Sequence, residues 1–112
     1  MARYLISFED GAMTVPEADL PDVARAAHYV VQQAKDEGVW IFGAGLNVHE
    51  VSVVATDGSV TDGVPPRSTE RLGGFSVIDV PSREEANAWA ARFAVACRCA
   101  QEVRELMSDP ES

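Results

Sequence analysis

Only two side chains in this sequence, His28 and His49, exchange a proton near neutral pH at their ordinary pKa. A histidine held beside a carboxylate can act as a general base, the carboxylate orienting the ring and an arginine stabilising the anion that forms. His49 or His28 as base, Asp62 as orienter and Arg71 as anion stabiliser make up that set. Asp10, Glu70 and Gly73 join Arg71 as candidate ligand contacts. Glu70 and Gly73 border the polar loop that Asp62 opens, and Asp10 stands at the end of the first strand. A plainer role fits the same residues, because acids in surface turns and histidines at strand edges are often simply solvated. No metal and no cofactor is expected. Cys97 and Cys99 are one residue apart, which strains an intramolecular disulfide and supplies half a metal site with no nearby histidine, so they read as two reduced thiols. Gly43 and Gly45 suggest a bulge or a close backbone approach, since no phosphate-cradling pattern surrounds them.

The elements that would carry these residues follow from periodicity. Arg3 to Phe8 alternates as a strand, and Glu9, Asp10 and Gly11 end it with turn chemistry. Glu17 to Glu37 reads as a helix whose apolar stripe runs from Leu20 through Val23, Ala27 and Val30 to Ala34, with Gly38 as its C-terminal cap and His28 at the stripe's edge. Val39 to Phe42 is a continuous apolar run, as expected of a central strand covered on both faces. Val51 to Ala55 is a further strand, and Asp57-Gly58 is a hairpin turn that pairs Val53 to Thr56 with Ser59 to Thr61. If that turn is two residues long, residue 62 lies opposite 53 and residue 49 near 66, which puts His49 closer to Pro65 and Pro66 than to Asp62. Phe75 to Val80 alternates again. Ser82 and Glu85 form a capping box for a second helix, whose face of Ala86, Trp89, Ala90, Phe93, Ala94 and Cys97 reads as core. Gln101 to Leu106 is a last strand, and 108–112 a polar tail after a single domain at 1–107. This order is the α+β, ferredoxin-like split βαβ sandwich with an extra hairpin.

The segment from Asp62 to Phe75 is the most distinctive. Asp62 and Gly63 can turn, Pro65 and Pro66 fix the backbone and remove two donors, and Gly73 and Gly74 let the chain re-enter a strand at Phe75. Asp62 and Gly63 at one end, Glu70, Leu72, Gly73, Gly74 and Phe75 at the other, and Ser68 between them resemble the signature of the DGPF subgroup of the YCII-related family. Val64 and Pro65 stand where that family has Pro-Phe, Arg67 replaces an acid and Thr69 a lysine. Glu102, Val103 and Arg104 are similar to the family's closing run. The resemblance implies a homodimer in which two sheets pack face to face as an α+β-barrel-like assembly. It also implies a link to extracytoplasmic-function sigma factors, beside which DGPF-type proteins are often encoded. The family's proposed helix histidine falls at Ala27, one residue from His28. One residue turns a helix by about 100°, so the family's histidine-aspartate dyad does not carry over to His28.

Eighteen acidic against nine basic residues give a net charge of −9, which opposes a phosphate backbone, so nucleic acid is not an expected partner. No apolar run is long enough for a bilayer and the N-terminus lacks the pattern of a secretory signal, so a cytoplasmic protein that does not enter membranes is expected. Two functions fit. The first is a small-molecule-binding or regulatory dimer; the alternative is a cofactor-free, lyase- or dehalogenase-like enzyme using histidine-aspartate acid-base chemistry.

Overall fold

The alternation at the start of the chain becomes β1 (Ala2–Glu9), which buries Tyr4 and Ile6 on one face and turns Arg3, Leu5 and Ser7 to the other. The computed structural model describes residues 2–47, 51–62 and 72–111. After β1 come a 3-10 turn at Asp10–Ala12 and another at Glu17–Asp19. The first helix, α1, runs Leu20–Asp36. It starts three residues later than the periodicity suggests, because Pro21 has no N–H to give and sits where the first helical turn needs none. Gly38 closes it with φ +76°, a conformation that favours glycine.

β2 (Trp40–Gly45), β3 (Ser52–Val54), β4 (Val60–Asp62) and β5 (Leu72–Val80) follow, then α2 (Arg83–Cys97) and β6 (Glu102–Glu105). Four strands form one antiparallel sheet in the order β2-β5-β1-β6, and β3 pairs with β4 in a separate two-stranded sheet. This α+β topology is compatible with the ferredoxin-like plan, the β3–β4 hairpin being inserted between β2 and β5. Among the described residues no helix is long and apolar enough to cross a membrane.

Both helices cover one sheet face. Ile78 and Val80 of β5 meet Tyr4 and Ile6 there, beneath Val30 and Ala34 of α1 and Ala86, Trp89 and Phe93 of α2. Ser82 caps α2 by accepting a hydrogen bond from the Glu85 amide at 3.2 Å, and α2's buried face is the one its spacing predicts, except that Ala96 is buried and Ala94 only half so. The opposite sheet face has no layer over it. It carries Leu5, Phe75, Val77 and Phe42, with Arg3 beside Asp79 at 3.9 Å and Arg104 donating to Ser7 Oγ at 3.5 Å.

Two sequence expectations need correction. The run Val39 to Phe42 is not a central strand: β2 lies at the sheet edge, and Phe42 is 58% exposed on the uncovered face. In the hairpin, Asp62 lies opposite Ser52, not Val53. The loop has three residues, with Ala55 N donating to Ser59 O at 2.8 Å, Gly58 N to Ala55 O at 2.9 Å, and Gly58 at φ +88°. That is a type I turn followed by a left-handed glycine.

Candidate functional site

At one end of the main sheet, where β2 finishes and β5 begins, the helix layer stands off the strands and leaves a cleft of about 330 Å³. Its volume is near the lower end of the roughly 300–1,000 Å³ usual for small-molecule sites. Its floor comes from Ile6, Phe8, Gly43 and Ser76 on the helix-covered sheet face, and its walls from Ala27, His28, Val31 and Lys35 of α1 and Phe93 and Cys97 at the end of α2. All four phenylalanines and one of the two tryptophans of the chain, Trp40, line it. Trp40 packs on Phe93 with ring centroids 6.3 Å apart, and Phe42 on Phe75 at 5.8 Å.

Glycines make room for these rings. A Cβ on Gly43 would lie 2.6 Å from Cη2 of Trp40 and 2.8 Å from the Phe75 carbonyl oxygen, so the indole lies across a residue that can have no side chain. The same holds for Phe8: a Cβ on Gly73 would stand 2.6 Å from its ring and one on Gly74 2.9 Å. Gly73 and Gly74 are thus required less for turning the chain than for seating Phe8.

His28 is exposed on α1 but belongs to the cleft lining, with Val31 and Lys35 three and seven residues further along the same helix face. Asp10 and Gly73 are brought together: the Asp10 Cα lies 3.0 Å from where a Gly73 Cβ would be, beside the Phe8 ring but outside the cleft lining. Asp62 is exposed at the end of β4, accepts a hydrogen bond from Ser52 Oγ at 3.4 Å, and is not part of the lining. His49, Glu70 and Arg71 lie outside the described residues. Cys97 is buried at the cleft's edge, where burial, with a smaller contribution from Cys99, pushes its thiol up to about 11, so it is not a nucleophile at neutral pH.

Sequence reasoning missed Lys35 and the aromatic lining. The signal for Lys35 was its heptad spacing from His28, which places both on one helix face. The aromatic residues carry no such signal, since in strands and on a helix stripe they read as core.

A two-layer α+β domain with an aromatic cleft at one end of its sheet is the class that this fold and site define. The chain belongs to the YCII-related domain family, whose model matches residues 3–108. No curated protein shows a significant match to it.

Proposed function

We propose that this protein is a homodimeric small-molecule-binding module, with the cleft beside Trp40 as its ligand site. The observation that carries this reading is the convergence of aromatic side chains from β1, β2 and α2, those of Phe8, Trp40 and Phe93, on one concave site. A wider groove of about 510 Å³ between the outer faces of α1 and α2 is shallower and almost without polar lining, which makes it the weaker candidate.

The dimer is supported by the uncovered sheet face. The molecule is a slab of 44 × 43 × 18 Å with a radius of gyration of 15.6 Å, against about 13 Å for a compact domain of this length. A second sheet over Leu5, Val77, Phe75 and Phe42 would dry that face and would border the cleft at the Phe42–Phe75 pair. This is the barrel-like assembly that the family resemblance implies. The DGPF subgroup, a regulatory link to a sigma factor and a cytoplasmic site of action belong to the same reading, the first two through the resemblance of Asp62 to Phe75 to the DGPF signature, the last through the two free thiols.

Light scattering after gel filtration, with a thermal-shift screen of small molecules, tests the proposal. A dimer mass at micromolar concentration and a compound that raises Tm are expected; a ligand at a hundred times its Kd stabilises by about 2.7 kcal/mol. A monomer that no compound stabilises would contradict it. His28 in the cleft lining favours a second reading, an acid-base enzyme, with Asp62, His49 and Arg71 as its further candidates. That reading fails if His28→Ala and His49→Ala each leave turnover intact.

A further inference from the structure

We infer that the cleft selects a small planar carboxylate, an aromatic or conjugated ring system bearing one negative charge; this rests on the reading of the cleft as a ligand site. The chain carries twice as many acidic as basic residues, 18 against 9. Among the described residues the cleft nonetheless has no aspartate or glutamate in its lining, while it has both His28 and Lys35. The charge there is opposite in sign to that of the molecule as a whole.

Lys35 is also uncommitted. Each described arginine has a carboxylate, carbonyl or ring partner, whereas among the described residues Lys35 has none. It sits in the last turn of α1, where the helix dipole favours a cation, and among the described residues there is no ion pair for it to break on binding. His28 lies seven residues before it, about 10 Å along the axis at 1.5 Å per residue, with Val31 between them. The wall thus presents an apolar strip between two polar groups. Facing it on the helix-covered side of the sheet, Trp40 and Phe8 offer ring faces and edges to a flat apolar body. Ser76 and Gln101 add neutral hydrogen-bonding groups at the cleft without adding negative charge. In a site partly screened from water by aromatic walls, a carboxylate gains from Lys35 what a neutral isostere cannot, and a cationic analogue is repelled.

Three probes of one shape test this by calorimetry on the intact protein: 2-naphthoate, 2-naphthamide and 2-naphthylmethylamine. Naphthoate is expected to bind at least tenfold more tightly than the amide, and the amine most weakly. Lys35→Met is expected to bring the naphthoate affinity down to that of the amide while leaving the amide's unchanged; Lys35 is exposed and, among the described residues, unpaired, so the variant stays folded, with a Tm lower only by the few degrees that the lost helix-dipole contribution costs. Amide or amine binding as tight as naphthoate overturns the charge selection while leaving the cleft as a ligand site. Failure of all three probes to bind, or naphthoate affinity unmoved by Lys35→Met, also overturns it. The ligand-site reading itself is decided separately, by whether any compound in the thermal-shift screen stabilises the protein through the cleft.

Discussion

Two glycines on one strand separate room from conformation. Gly43 and Gly45 both lie in β2, and neither has a positive φ, so backbone strain distinguishes neither. An alanine at 43 would place its Cβ 2.6 Å from the Trp40 ring and 2.8 Å from the Phe75 carbonyl oxygen, whereas one at 45 would meet nothing within 4 Å. The indole cannot retreat freely, because it packs against Phe93, and the carbonyl belongs to the neighbouring strand. Overpacking of this kind costs about 1–3 kcal/mol, and the chain-entropy gain of replacing glycine by alanine returns about 0.4–1 kcal/mol. Gly43→Ala should therefore be less stable by about 1–2 kcal/mol, and Gly45→Ala should be neutral or slightly more stable. At about 4–8 °C per kcal/mol for a domain near this size, the two Tm values should stand apart by 5 °C or more. Urea melts and calorimetry on both variants measure this. If Gly43→Ala is as stable as Gly45→Ala, the placement of Trp40 over the strand, and with it the shape of the cleft, is wrong.

Other perturbations follow from single contacts. Ser82→Ala removes the oxygen that accepts from the Glu85 amide and should lower stability by about 1 kcal/mol in urea denaturation; no change would mean that the cap is not formed in solution. Asp57 is held below the usual carboxylate range by hydrogen bonds, chiefly from the Ser59 amide. Because its folded pKa is lowered, its contribution to the hairpin is present above the unfolded value and is lost as pH falls through the folded one. Ser59 amide exchange should therefore quicken on acidification, and much less so in Asp57→Asn. With a thiol pKa of about 11, Cys97 is about one part in a thousand thiolate at pH 8, so a disulfide reagent should label the more accessible Cys99 first. Loss of the fast phase in Cys97→Ala in place of Cys99→Ala would contradict that order.

What the sequence disclosed depended on whether the deciding interactions were local. The Ser82-Glu85 cap and the stripe from Ala86 to Cys97 are set within four residues of chain, and both formed. The alternation in β1 and β5 was equally plain, since each has one face under the helices. Val39 to Phe42 misled because an apolar run looks the same whether its own chain covers it or it lies at a sheet edge. The hairpin register slipped by one because Asp57-Gly58 serves a two-residue turn as well as a three-residue loop closed by a left-handed glycine. The cleft was hidden for a different reason: its lining is drawn from five elements between Ile6 and Gln101, and no window of sequence contains that neighbourhood. His28 was visible as a residue at the edge of a stripe, but not the lysine that shares its wall.

The cleft itself can be tested through the two indole N–H resonances, because Trp40 lines it and Trp89 lies in the core. In a nitrogen-proton correlation spectrum titrated with 2-naphthoate, the Trp40 signal should move saturably while the Trp89 signal stays in place. A titration in which naphthoate binds and Trp40 is unmoved, or in which Trp89 moves in its stead, would contradict the account.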